Sequence, residues 1–338
     1  MLSIKLKRNL ILWGLFIVAG GLVGAGYSQV IGGQLKHGFS AGCVLTAGVI
    51  GFELFWVQSK FGNRLRSLPL SIFILVSTLV WAVIIALSLQ IVPVLILGEV
   101  DAYGPDVDFT SFEQDMIFAL AVSFIFNAVL RLRSLIGSRV FSNFMLGRYH
   151  QPVRENRVFM FLDLADSTHL SEKLGDLRVQ ALIARFFFDI AQPIAEHGGE
   201  THRYIGDEVV VTWNLDEVRQ TSTCIDCVFA IQRKIEAQAA SYQQDFDLLP
   251  EFRIGMHGGP VVAGEVGDDK REIVYFGDTI NSTARLQALC KDKQRDFLIS
   301  QDLLDQLSLP DTAVAEELGE VSLRGRKQPL SVVAVKKQ

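Results

Sequence analysis

Two stretches decide how the second half of the chain folds: RVFMFLDLADST at Arg157–Thr168 and RYIGDEVVVTW at Arg203–Trp213. In the first, the apolar run Val158–Leu162 is long enough for one buried strand, which ends at Asp163. In the second, two short apolar runs flank Gly-Asp at 206–207, a dipeptide typical of a two-residue hairpin turn. Each aspartate is therefore predicted to lie where a strand ends.

The paired aspartates, Asp163 and Asp207, suggest a site for a hard divalent cation, because such ions prefer carboxylate oxygens as ligands. A helix beginning soon after Asp163 would add a site for phosphate. There is a simpler alternative, since an aspartate at a strand end or in a Gly-Asp turn is more often only a turn residue. Metal and nucleotide chemistry is indicated only if the fold brings the two carboxylates together.

The composition divides the 338-residue chain into two parts. Residues 9–130 are dominated by long apolar runs, whereas residues 150–338 have the mixed composition of a soluble domain. The net charge of −5 weighs against a nucleic-acid partner. The four cysteines show no regular framework, so we expect reduced thiols, and the C-x-x-C at 224–227 lacks a second pair for zinc.

The apolar part, residues 1–130, predicts an α-helical membrane domain of four spans. Its apolar segments are residues 9–31, 39–58, 68–98 and 116–130. Basic residues precede the first segment and follow the second and fourth, whereas the loop before the fourth carries acidic charges only. The positive-inside rule then puts both termini in the cytoplasm. We expect a multi-pass protein of the inner (plasma) membrane, in contact with the lipid bilayer, and not a cleavable signal.

Three features of this half leave alternatives open. Gly20 and Gly24 form a G-x-x-x-G that is either a helix-dimer face or a packing site inside the bundle. Glu53 is an acid within an apolar span, but its place next to Trp56 favours an interfacial position equally. Residues 131–156 predict a cytoplasmic connector helix, which either pairs with its copy in a dimer or is a plain tether.

Residues 157–338 alternate between apolar strand patterns and amphipathic helix patterns. The predicted helices are one that reaches Leu174 and those at residues 176–196, 217–240 and 278–290. The further predicted strands are residues 252–256, 261–265, 273–276, 297–300, 315–323 and 329–335. This βαββαβ-like order predicts an α+β ferredoxin-like sandwich, in which the first strand neighbours a hairpin strand and Asp163 meets Asp207.

Two further groups are candidates for phosphate chemistry. Asn281 and Arg285 are four residues apart on the helix after Gly277, so they share a face. An amide and a guanidinium there would suit a developing negative charge, or they form an ordinary solvated face. Arg324-Gly325-Arg326-Lys327 predicts a basic hairpin tip, which either holds phosphate or is a solvated turn.

Four motifs in order make Asn156–Val335 resemble the class III adenylate and guanylate cyclases. They are FLDLADST, RYIGDEV, RIGMHGGPVVAGEVG and GDTINSTARLQ, and LGRYHQP resembles the segment before the catalytic domain in bacterial membrane cyclases. The resemblance implies a head-to-tail homodimer with sites at its interface. It also implies two-metal chemistry, in which the ribose 3′-hydroxyl attacks the α-phosphate and pyrophosphate leaves.

The resemblance also implies a role for each site residue. Two Mg²⁺ or Mn²⁺ ions per site would bind Asp163, Asp207 and the carbonyl of Leu164. Backbone amides would cradle the phosphates at Ala165, Asp166, Ser167 and Thr168. From the partner subunit, Asn281 would orient the ribose and Arg285 would stabilise the α-phosphate. The family's phosphate-binding lysine would be replaced by Arg324 or Arg326.

Three positions depart from the family pattern. Asp166 stands where many members have glycine. Arg203 and Val274 occupy the base-reading positions, and they match neither the adenine pair nor the guanine pair of the family. We favour a membrane-anchored adenylate cyclase that makes cyclic AMP from ATP in signal transduction, because most bacterial members use ATP. The alternatives are a guanylate cyclase and a non-catalytic nucleotide-binding membrane receptor.

Overall fold

The computed structural model describes residues 4–31, 34–57, 70–92, 109–136, 147–269, 271–322 and 328–338. The chain divides into two compact units, Met1–Ile136 and Gly137–Gln338. Two predicted features lie outside the described residues: the second part of the connector, residues 137–146, and the basic tip with Arg324 and Arg326.

The described part of the first unit contains four long helices: α1 (Ile4–Val30), α2 (Leu35–Gly51), α3 (Leu70–Val92) and α4 (Phe109–Ile136). A π-helical segment, Phe52–Val57, continues α2. Within the described part of the chain, Asn9–Val30 and Leu35–Val57 are long and apolar enough to cross a membrane, and Leu75–Leu89 is a shorter apolar stretch. The last helix, α4, continues past residue 130 into the predicted connector.

Gly20 and Gly24 lie where α1 packs against α2 in the same chain. A Cβ on Gly24 would stand 2.2 Å from the carbonyl oxygen of Gly38, and one on Gly20 would stand 1.8 Å from the Thr46 hydroxyl oxygen. Of the two alternatives for this motif, the structure favours packing inside the bundle. Glu53 lies in the π-helical segment, and its side chain is buried within the unit, only 7% exposed.

The second unit is built on one eight-stranded sheet in the order β2-β3-β1-β4-β6-β8-β7, with β5 paired to β4. The first four strands are β1 (Val153–Leu164), β2 (Glu200–Ile205), β3 (Glu208–Asn214) and β4 (Phe252–Val266). The others are β5 (Glu272–Phe276), β6 (Phe297–Ser300), β7 (Ala313–Val321) and β8 (Leu330–Lys337). All pairs are antiparallel except β4 with β6.

The helices of this unit are α5 (Ser167–Leu174), α6 (Asp176–Glu196), α7 (Leu215–Val218), α8 (Thr223–Ala237), α9 (Ala239–Phe246), α10 (Asp278–Lys293) and α11 (Gln301–Leu304). Strand β1 is buried on both faces over Arg157–Leu162, as the predicted continuous apolar run requires. Val158, Met160 and Leu162 join the main core with α6 and α8, whereas Phe159 and Phe161 join a second cluster. The prediction of an α+β domain is confirmed, but the sheet is mixed, because β4 and β6 run parallel.

Two predicted elements were wrong. The helix predicted at 217–240 is broken into α7, α8 and α9, because Gln220 takes a positive φ of 59° between the first two. The strands predicted at 252–256 and 261–265 are one strand, β4, which continues through residues 257–260. The glycines there permit close packing and do not form a turn, since a Cβ on Gly258 would stand 2.7 Å from Leu303 Cδ1.

Helix α10 crosses β4 at Gly255, and this contact fixes where the helix lies. A Cβ on Gly255 would stand 2.3 Å from the backbone nitrogen of Gln287. Only a residue without a side chain lets the helix approach the sheet this closely. The approach brings Gln287 within reach of Asp163 on the next strand.

We predict that Gly255→Ala destabilises the protein by about 1–3 kcal/mol, because the new methyl group would overlap backbone atoms of α10. Gly264→Ala on the same strand is the matched control, since its Cβ would meet Pro152 at an ordinary 3.8 Å. Thermal unfolding of the two variants tests this, and equal melting temperatures would contradict it.

Candidate functional site

Backbone pairing brings the two predicted aspartates together. Asp163, near the end of β1, lies opposite Glu208 of β3, and the Leu164 N–H donates to the Asp207 carbonyl oxygen at 3.4 Å. Gly206, with a φ of 61°, opens the two-residue turn between β2 and β3, as a type II′ hairpin requires. The predicted meeting of Asp163 and Asp207 is therefore confirmed as geometry.

Burial and neighbouring carboxylates disfavour the charged forms of Asp163 and Glu208. Burial first, and then the charge of Asp207, raise the pKa of Asp163 to about 6. Burial, followed by the charges of Asp163 and Asp207, raises the pKa of Glu208 to about 7. A divalent cation would relieve this repulsion, so the donors present fit such an ion.

Asp163 opens into a cleft of about 690 Å³ between the end of β1, the start of α5 and one side of α10. Four further predicted residues line it: Leu164, Asp166, Ser167 and Thr168. Among the described residues the lining also includes His169, Glu172, Arg253, Gln287, Ala288 and Lys291, none of which was predicted as a site residue. The cleft thus combines hard oxygen donors with two cations, the pattern that a metal-bound polyphosphate needs.

Arg253 and Lys291 are the cations of this cleft. Arg253 lies directly across from Asp163 in the β1–β4 pair, and Lys291 lies near the end of α10. Arg253 Nη2 is 3.8 Å and Lys291 Nζ is 3.6 Å from a carboxylate oxygen of Asp166. The charge of Arg253 also lowers the pKa of Asp163, in opposition to Asp207.

Gln287 orients the first aspartate. Its Nε2 donates to Asp163 Oδ2 at 3.3 Å, and the side chain is nearly buried at 9% exposed. No sequence pattern predicts this contact, because 124 residues separate the partners and the close approach of α10 at Gly255 brings them together.

Ala165 does not fit its predicted role. Its N–H already donates to the Glu251 carbonyl oxygen at 2.9 Å, and the residue is buried. This amide is used within the fold, so a backbone cradle for phosphate would start at Asp166. Asp166 itself takes the left-handed conformation, with φ 54° and ψ 32°, directly before α5.

Asn281 and Arg285 are not brought to this cleft. Both lie on α10, where Asn281 is exposed and Arg285 half-buried, and neither lines the cleft that contains Asp163. Their shared face on a helix is confirmed. Within one chain, however, they stand apart from the carboxylates.

The two base-reading candidates lie on β2 and β5. Arg203 pairs with Glu272, a partner that the sequence reasoning missed. Val274 follows on the same side of β5, half-buried and paired with Gly264 of β4. The neighbouring His202 packs edge-to-face on Tyr275 at 5.0 Å, and burial first lowers the pKa of His202 to about 4, followed by the charges of Arg203 and Arg157.

Cys224 and Cys227 lie in α8 and are fully buried in the core, and burial raises the pKa values of both thiols.

Among the described residues, no group of three or more His, Cys, Asp and Glu side chains could hold a metal ion. The candidate divalent site therefore consists of two aspartates, together with the carbonyl predicted for Leu164.

Comparison with known proteins identifies the family. Residues 149–336 match the adenylate and guanylate cyclase catalytic domain. The chain is 38% identical over 329 residues to adenylate cyclase 2 of Rhizobium meliloti (strain 1021), covering 95% of this chain and 88% of that protein. It is also 30% identical over 187 residues to adenylate cyclase 1 of the same strain, covering 54% of this chain and 28% of that protein.

The fold agrees with a solved structure. A bacterial light-regulated adenylyl cyclase superposes with a TM-score of 0.55 at 20% identity, covering 65% of each chain. The chain belongs to the adenylate and guanylate cyclase family, and is a nucleotide cyclase.

We predict that Asp163→Asn stabilises the metal-free protein at pH 8 by on the order of 1 kcal/mol. The folded-state pKa of Asp163, about 6, exceeds its ordinary 3.8, so the stability cost of its carboxylate accumulates as the pH rises between these two values and is fully present above about 6. The gain should therefore shrink as the pH falls from 8 to 5.

Thermal unfolding in chelator at several pH values measures this. Asp216→Asn is the control, because Asp216 is an exposed aspartate paired with Arg219 and it should give no such gain. An Asp163→Asn protein that is less stable than the unmodified chain at pH 8 would contradict the prediction.

Proposed function

We propose that the protein is a membrane-anchored adenylate cyclase that converts ATP to 3′,5′-cyclic AMP and pyrophosphate in intracellular signalling. One observation carries the proposal: Asp163 and Asp207 are held together beside a cleft that also contains Arg253 and Lys291. Two carboxylates for metal and two cations for phosphate suit a nucleoside triphosphate bound through its metal complex.

In this proposal Asp163, Asp207 and the Leu164 carbonyl would hold two Mg²⁺ or Mn²⁺ ions. When bound, such ions supply charge stabilisation for the phosphates and lower the pKa of the attacking hydroxyl. Gln287 keeps the Asp163 carboxylate in place through its 3.3 Å hydrogen bond. Arg253 attracts the phosphate chain next to Asp163, and the backbone from Asp166 to Thr168 borders it.

The active site is proposed to form between two copies of the chain. Asn281 and Arg285 stand away from the carboxylate cleft, so their proposed roles toward the ribose and the α-phosphate require a second subunit. Large apolar side chains lie exposed near Arg203 and Val274 on the same strands: Tyr204 and Ile205 on β2, and Phe276 on β5. A homodimer would bury this surface, which a monomer exposes to water.

ATP is preferred as the substrate because both relatives reported above are adenylate cyclases by name. The Arg203–Glu272 pair offers a donor and an acceptor to a purine edge. Guanine also has acceptors that could receive a hydrogen bond from Arg203 and donors that could bond to Glu272, so a guanylate cyclase is the second candidate. A non-catalytic nucleotide-binding receptor is the third, and the intact pair Asp163 and Asp207 argues against it.

The membrane part of the proposal rests on the four helices and on charge. Helices α1 to α4 lie at the four apolar segments, and among the described residues Asn9–Val30 and Leu35–Val57 are long and apolar enough to cross a membrane. The basic residues that flank the segments favour cytoplasmic termini in the plasma membrane. The domain limits proposed are residues 1–130, a connector at 131–156 and a catalytic domain at 157–338.

We predict that the full-length chain, purified in detergent with Mn²⁺, forms cyclic AMP from ATP faster than cyclic GMP from GTP. Product identification by chromatography tests this for each nucleotide. Product from GTP alone would replace the proposal with a guanylate cyclase, and no product from either nucleotide would support the receptor. Asp163→Ala, which lacks a proposed metal ligand, should be inactive with both.

A further inference from the structure

Asp166 takes a left-handed backbone conformation, which aspartate adopts more readily than most residues other than glycine. Its φ of 54° and ψ of 32° lie in the left-handed region, which costs most residues other than glycine about 1–2 kcal/mol. It directly precedes α5, where an aspartate usually caps the helix, yet its side chain makes no capping hydrogen bond. The carboxylate is therefore directed to something other than its own helix.

The Asp166 carboxylate faces the two cations of the cleft, Arg253 and Lys291. Asp166 Oδ2 is 3.8 Å from Arg253 Nη2, and Asp166 Oδ1 is 3.6 Å from Lys291 Nζ. The two cations come from β4 and α10, and both line the cleft with Asp163. One carboxylate thus bridges cations from two separate elements, one oxygen to each.

We propose that Asp166 is a built-in competitor for substrate phosphate, holding Arg253 and Lys291 until the phosphate chain displaces it. This inference rests on the proposed function, because it takes the cleft beside Asp163 as the phosphate site. Carboxylate and phosphate are both oxyanions that pair with guanidinium and ammonium groups, so both cannot hold the same cations fully. The residue at position 166 then sets nucleotide affinity, and Lys291 is a further substrate-binding residue.

The test compares Asp166→Asn with the unmodified full-length chain. Asparagine tolerates the left-handed conformation and keeps the size of the side chain, so only the charge is lost. We expect KM for the Mn²⁺–nucleotide and Kd for inorganic pyrophosphate to fall about threefold to tenfold, as for the loss of two exposed ion pairs. In Asp166→Asn with Lys291→Gln, most of this gain should disappear, because the freed cation is gone.

Glu172→Gln is the matched control. Glu172 lines the same cleft on α5 and carries the same charge, but it pairs with His169 at 3.5 Å and not with the cations. If Glu172→Gln tightened nucleotide and pyrophosphate binding equally, the lower net negative charge of the cleft would explain the effect, and the proposal would be overturned. Weaker Mn²⁺ or pyrophosphate binding in Asp166→Asn would also overturn it, since Asp166 would then be a metal ligand.

Pyrophosphate binding, measured by calorimetry, separates this inference from the proposed function. If no cyclic nucleotide forms but Asp166→Asn still binds pyrophosphate more tightly, the competition is supported although the cyclase activity is not. If cyclic nucleotide forms and the pyrophosphate Kd is unchanged, the activity stands and the competitor role is refuted.

Discussion

The structure depends on an arrangement that is unfavourable by itself: several carboxyl groups gathered at one end of β1. Burial, followed by the charge of Asp207, raises the pKa of Asp163, and burial, followed by the charges of Asp163 and Asp207, raises the pKa of Glu208. What holds them is backbone pairing, namely the register of Asp163 with Glu208 and the bond from Leu164 to the Asp207 carbonyl. Because the sheet fixes the positions of the carboxylates, the proposed site for a divalent ion would be preorganised.

A second constraint decides what surrounds the carboxylates. Helix α10 reaches the sheet only because Gly255 has no side chain, and the same approach delivers Gln287 and Lys291 to the cleft. The other polar residues of α10, Asn281 and Arg285, do not line that cleft. One chain therefore holds the carboxylates and two cations, and in our proposal a second copy supplies the remaining groups.

The local features of the fold could be predicted from the sequence. The apolar run of β1 and the Gly-Asp turn predicted two adjacent strands, which is why Asp163 and Asp207 were correctly expected to meet. Features that depend on long-range packing could not be predicted. Arg253 and Lys291 lie 90 and 128 residues after Asp163, and no periodicity links them to it.

The errors have the same origin. The glycines after His257 carry a turn signal in sequence, but the structure uses them to admit Leu303 and Thr279 against an unbroken strand. The partner of Arg203 was missed because Glu272 is distant in sequence and becomes its neighbour only where β2 and β5 approach. The roles proposed for Asn281 and Arg285 come from the resemblance to the family, because neither residue lines the carboxylate cleft within one chain.

The central claim is that the active site is shared between two copies of the chain. It is tested most directly by co-expressing full-length Asp163→Ala and Arg285→Ala and measuring cyclic nucleotide formation in the membranes. Each variant alone should be inactive, and the mixture should recover partial activity, because one site of each mixed dimer regains every group. A mixture as inactive as the single variants, with both proteins present and dimeric, would contradict the account.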